Sequence, residues 1–143
     1  MNYKHTQVAY LLIIAFLVVI LLSAWLAITG AQDGWLGGLM ALILAIFAWL
    51  FSSLTVVIDA GQLILSFGPG LVKKNIELSE VAACQTVRNK WWYGWGIHLT
   101  PKGWLYNVSG LLAVEILFKN GKTLRVGTDQ PEILSAAIKA NLR

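Results

Sequence analysis

Two uncharged apolar runs open the chain. From Val8 to Ile28 the residues read VAYLLIIAFLVVILLSAWLAI, and Trp35 to Leu54 repeats the pattern. Each run has about the twenty residues a helix needs to cross a bilayer core. The intervening TGAQDG holds Gly30, Asp33 and Gly34, residues suited to a tight turn in water. An antiparallel helical hairpin is therefore expected over residues 1–54, with spans at 8–28 and 35–54. Composition agrees, since 57% of residues are hydrophobic and only 13% are charged, against about a quarter charged in soluble domains. A secretory signal peptide competes for the first run because Thr29-Gly30-Ala31 ends in small residues. The run is longer than a typical signal core, and cleavage would still leave the second span to carry the remainder to the same side.

Orientation follows from the Lys and Arg near the span ends. Lys4 precedes the first span, Lys73 and Lys74 follow the second, and the connecting loop has neither residue. Both termini are expected in the cytoplasm, at an inner or plasma membrane. The second span carries Gly34, Gly38, Ala41, Ala45, Ala48 and Ser52, spaced four, three, four, three and four apart. Small residues at this spacing permit close helix approach in lipid, either to the first span or to another subunit. Neither span contains a charged side chain, which argues against an ion pathway or proton relay between them.

From residue 55 to 143 the periodicity changes to two, and turn residues recur at short intervals, as in an antiparallel β domain. Strands are expected near 56–58, 63–67, 72–78, 82–88, 97–99, 105–108, 112–119 and 122–126. Face alternation sets the register of the last pair. A three-residue loop, Lys119-Asn120-Gly121 with Gly121 left-handed, pairs Ile116 with Leu124 and Glu115 with Arg125, whereas a two-residue loop would set opposite faces together. A closing helix is expected over about 130–142, with Asp129 as N-cap, Pro131 in its first turn and Glu132 completing a capping box. Its apolar stripe is Ile133, Leu134, Ala137, Ile138 and Leu142. The lone Cys84 permits no intrachain disulfide and sits in a strand-like run, where a small buried filler is expected.

Two spans, short antiparallel strands and one capping helix resemble the bacterial pleckstrin-homology-like membrane proteins. The stretches YGWGIHLTPKGWLYNVSG, from Tyr93 to Gly110, and GKTLRVGTDQPEIL, from Gly121 to Leu134, are similar to segments of small membrane-bound members. The resemblance implies a PH-like sandwich or open barrel with a C-terminal helix. It implies no activity, because such domains serve lipid contact, protein contact or assembly in different members.

The most unusual segment is Lys90-Trp91-Trp92-Tyr93-Gly94-Trp95-Gly96, followed by Trp104 and Tyr106 and flanked by Arg88 and Lys102. Trp and Tyr favour the head-group region of a bilayer and are enriched at protein interfaces, and they also fill the cores of small domains. All three roles stand open at this level. The glycines form no phosphate-binding loop, and the basic patch is too weak for nucleic-acid binding. His5 and His98 are the two histidines, and the spacing of Ser109 and Asp129 supports no triad. Glu77, Glu80, Glu115 and Glu132 read as solvated strand or cap residues. The expectation is a non-enzymatic, cofactor-free and metal-free membrane-anchored adaptor. Its partners would be membrane lipids and either another membrane protein or its own copies, and an anionic-lipid sensor is the alternative.

Overall fold

The computed structural model describes residues 2–30 and 34–142. In chain order the elements are β1 (Tyr3–Val8), α1 (Tyr10–Ile28), α2 (Gly34–Leu50), β2 (Ser53–Asp59), β3 (Gln62–Phe67), β4 (Val72–Glu77) and β5 (Val81–Arg88). There follow β6 (Gly96–Thr100), β7 (Gly103–Asn107), β8 (Leu112–Phe118), β9 (Thr123–Gly127) and α3 (Pro131–Asn141). Two N-terminal helices, mainly antiparallel sheets and a C-terminal helix are thus present as expected. Asp33, expected in the interhelical turn, lies outside the described residues.

The first eight residues depart from expectation. Rather than leading into a span that begins at Val8, Tyr3–Val8 form an edge strand against β2, with Tyr3 opposite Ile58 and Val8 opposite Ser53. The inward positions of β1 alternate, so that Tyr3 and Gln7 are buried and His5 is half-buried between them. At the other end of the hairpin, α2 stops at Leu50 and Ser53 and Leu54 already belong to β2. The helices are therefore inserted between two paired strands.

Helix α1 is long and apolar enough to cross a membrane, a property it shares with N-terminal signal sequences, while the apolar α2 is shorter at 17 residues. The two pack together. Glycine makes the approach possible at the loop end: a Cβ on Gly34 would lie 2.8 Å from the Ala27 carbonyl oxygen, and one on Gly37 would lie 2.9 Å from that of Ser23. The half-buried positions of α2 are Gly34, Gly37, Ala41, Leu44, Ala48 and Leu50, whereas Gly38 and Ala45 are exposed. The expected small-residue stripe is thus split. Gly34, Ala41 and Ala48 lie on the side toward α1, and Gly38 and Ala45 lie on the flank, because the contact line passes through Gly37 and Leu44 instead. Ser52 lies beyond the helix, where its hydroxyl donates to the Trp49 carbonyl at 2.9 Å.

Strands β1 to β4 form a meander, and a second sheet has the order β5-β8-β9-β7-β6, in which β7 and β9 run parallel. One apolar core lies between the sheets and under α3. It is built from Leu54, Val56, Ile58, Leu63, Leu65 and Phe67 on one side and Val114, Ile116, Leu124 and Val126 on the other, with Leu134, Ala137 and Ile138 from α3. Ile133, placed in the apolar stripe by its spacing, is exposed. Cys84 is buried, with its Sγ 3.6 Å from the Ser135 hydroxyl.

The β8–β9 register is the expected one: Ile116 faces Leu124 and Glu115 faces Arg125, with Gly121 at a φ of 82° in a three-residue loop. The start of α3 differs. Gln130 occupies the N-cap position with no side-chain hydrogen bond. Asp129 is drawn away by the β1 edge, where the His5 Nε2–H donates to its Oδ1 at 2.6 Å.

Candidate interaction surface

Strand order dictates where the aromatic segment goes. Strands β5 and β6 are opposite edges of the five-stranded sheet, so residues 89–95 must cross from one edge to the other. At one end the Asn89 N–H donates to the Leu111 carbonyl at 2.7 Å, and at the other Gly96 pairs with Asn107. Trp91–Tyr93 form a single 3-10 turn between these anchors. Gly94 and Gly96, at φ values of 70° and 101°, make the bends that return the chain to β6; these are left-handed conformations that a side chain disfavours.

The crossing turns its rings outward. Trp91 is 77% exposed and Trp92 59%, and Trp95 and Trp104 are exposed as well. Tyr93 is half-buried, and Tyr106 reaches the core, its ring 6.2 Å from that of Phe67. Of the three roles open at the sequence level, core filling therefore applies to Tyr106 and not to the four tryptophans. Trp91 and Trp92 meet edge to face at 5.8 Å, and the Lys90 Nζ lies 4.9 Å from the Trp92 ring centroid, a cation–π geometry. Arg88 and Lys102 are exposed. The His98 imidazole donates to the Trp95 carbonyl oxygen and so ties the segment to β6.

Beneath the crossing lies a polar cluster. Arg125 Nε and Nη2 each lie 2.8 Å from Glu115 Oε2, Arg125 Nη1 donates to Asn89 Oδ1 at 3.0 Å, and Gln85 Nε2 donates to Glu115 Oε1 at 3.0 Å. Burial alone pushes the Glu115 carboxyl up. Hydrogen bonds from Arg125 and Gln85, with the charges of Arg125 and Lys102, outweigh it and hold the group below its ordinary value. Glu115, expected to be solvated, is instead half-buried and paired with Arg125. Tyr106 is raised by burial, and Tyr3 is raised by burial and by the neighbouring Asp129 charge, against a lowering hydrogen bond with Thr128.

The structure does not bring Ser109, Asp129 and His98 together. Asp129 pairs with His5 rather than His98, and the Ser109 carbonyl accepts from Gln7 Nε2 at 3.1 Å. Among the described residues no group of three His, Cys, Asp or Glu side chains is placed to hold a metal ion. An open groove of about 480 Å³ separates β4 from the β7–β9 face, with Trp104, Tyr106, Phe118 and Leu124 among its walls and Lys74 and Lys122 beside it. No protein-family model, curated protein or solved structure matches the chain.

Proposed function

We propose that this protein is a non-enzymatic membrane-anchored adaptor, whose α1–α2 hairpin holds a PH-like β domain at the cytoplasmic face for contact with another membrane protein or with its own copies. The observation that carries the reading is the continuity between hairpin and sheet. Val8 and Ser53 are paired in the β1–β2 ladder, and Ala9 is the one residue between β1 and α1. It is fully buried, and its N–H donates to the Ser52 carbonyl at 2.8 Å. The domain has no free linker on which to swing.

The same feature favours a retained α1 over a cleaved signal sequence, since cleavage would strip β1 from the sheet and expose the buried face of β2. Helix α2 rises about 26 Å over its 17 residues. That is at the short end for a span, a mismatch that local thinning of the bilayer absorbs. Holding a domain in the membrane plane raises its effective concentration toward other membrane components, so weak contacts suffice.

Two features support association. The exposed Gly38 has no heavy atom within 4 Å of an added Cβ, and the flank it shares with Ala45 is open to a second helix. The tryptophans of the crossing segment supply an apolar contact surface on the domain. The test is native mass spectrometry of the full chain released from lipid nanodiscs. A defined oligomer or a reproducible second protein is expected. A bare monomer carrying anionic lipid would instead favour the lipid-sensing reading, which the exposed Lys90–Trp92 pair supports.

A further inference from the structure

We infer that the edge formed by β6 and the aromatic crossing lies in the head-group layer of the same bilayer that α1 and α2 cross, a third anchor beside the two helices. The inference rests on the membrane reading of the hairpin and adds where the domain leans.

Two sets of contacts fix the lean. Strand β1 points its C-terminal end at α1, and it meets the second sheet at two heights: His5, farther from the helix, contacts Asp129 after β9, while Gln7, nearer the helix, contacts Ser109 after β7. Moving along β1 toward the helices therefore moves across the second sheet from β9 to β7, and the next strand in that direction is the edge strand β6. The aromatic contacts repeat the direction. Phe47 and Phe51 at the end of α2 stack, Phe51 meets Phe67 at 5.5 Å, and Phe67 meets Tyr106 of β7 at 6.2 Å. The opposite edge, β5, is packed under α3.

What lies on the helix-side edge suits that layer. Trp92 and Trp95 adjoin β6, Trp91 meets Trp92, Leu99 projects from β6 at 71% exposure, and Lys90 stands over the Trp92 ring. A second exposed apolar residue, Leu71 at 72%, sits in the β3–β4 turn, whose Gly68 is packed against the carbonyls of Trp49 and Leu50. Trp and Lys are the residues that settle at the head-group level, the ring in the acyl boundary and the polar atoms in water or on phosphate. The unpaired backbone groups of the β6 edge, elsewhere a template for aggregation, find hydrated head groups there.

The test uses the full chain in vesicles of mixed phosphatidylcholine and phosphatidylglycerol, with single nitroxide labels in a Cys84→Ala background. The exposed positions are W92C and L99C on the proposed edge, S79C beside the β2–β3 turn at the far end, and V18C in α1. Relative accessibility to oxygen and to a water-soluble nickel chelate reports depth. The expected order is V18C deepest, W92C and L99C at head-group depth, and S79C in water. Edge labels as aqueous as S79C, with V18C still deep, would overturn the third anchor alone and leave the surface to a protein partner. An aqueous V18C would overturn the membrane reading and the anchor together.

Discussion

Ala9 and Ser52 hold the two ends of the helical hairpin together: the Ala9 N–H donates to the Ser52 carbonyl at 2.8 Å, and neither the Ala9 side chain nor its backbone reaches solvent. This closure transmits the pose of the helices to the sheet. Inserting Gly-Ser-Gly-Ser between Ala9 and Tyr10 is expected to leave V18C deep while W92C moves to aqueous accessibility. Accessibility unchanged at both positions would show that the domain finds the membrane without the rigid joint.

The Glu115–Arg125 pair carries a pH signature. A carboxyl held below its ordinary value in the folded state adds stability that is present above that value, 4.5, and lost as pH falls through the folded one. Thermal unfolding of the domain is therefore expected at lower temperature in acid than at neutrality. In Glu115→Gln this group's share of the loss disappears, so its unfolding temperature falls less steeply on acidification. An identical slope in the two proteins would refute the assignment.

At neutral pH the same pair separates cost from contribution. Arg125→Met or Glu115→Leu alone leaves a partly buried charge without its partner and is expected to cost about 1–3 kcal/mol, while the double substitution is expected to return near the parent stability. Chemical denaturation of the detergent-solubilised protein measures all three. Additive losses would contradict the coupling.

The strands of the β domain are legible in the sequence from their alternation, and at β8–β9 alternation plus a glycine loop also sets the register. The β8–β9 register sets Glu115 opposite Arg125, so the ion pair is implicit in it. What stayed hidden depends on distant segments. Tyr3–Val8 look like a polar tail because their partners, Ser53–Ile58, lie beyond both helices. The Asp129 capping signal is sound locally and loses to His5, 124 residues away. Whether the tryptophans face in or out follows from β5 and β6 being opposite edges, which no local pattern encodes.

The β2–β3 turn contains a residue the backbone disfavours. Ala60 sits at a φ of 49°, followed by Gly61 at 81°, a two-residue loop joining Asp59 to its partner Gln62. Asn tolerates this conformation better than Ala. Ala60→Asn is expected to stabilise the domain by about 0.5–1 kcal/mol, read as a raised unfolding temperature with unchanged secondary structure.

The two faces of α2 are separable. Gly37→Leu would drive a side chain into Ser23 and Ala27 of α1 and is expected to lower the stability of the monomer. Gly38→Leu points to open space and is expected to leave the monomer intact while weakening any oligomer. Equal effects on both properties would show that the flank is not an association surface.

In the proposed topology both helices span the bilayer and hold the β domain on the cytoplasmic side. The most direct measurement is labelling of single cysteines in intact cells with a membrane-impermeant maleimide, in a Cys84→Ala background. T29C at the end of α1 is expected to react in intact cells, and S79C in the β domain only after permeabilisation. Reaction of S79C in intact cells, or protection of T29C until permeabilisation, would contradict it.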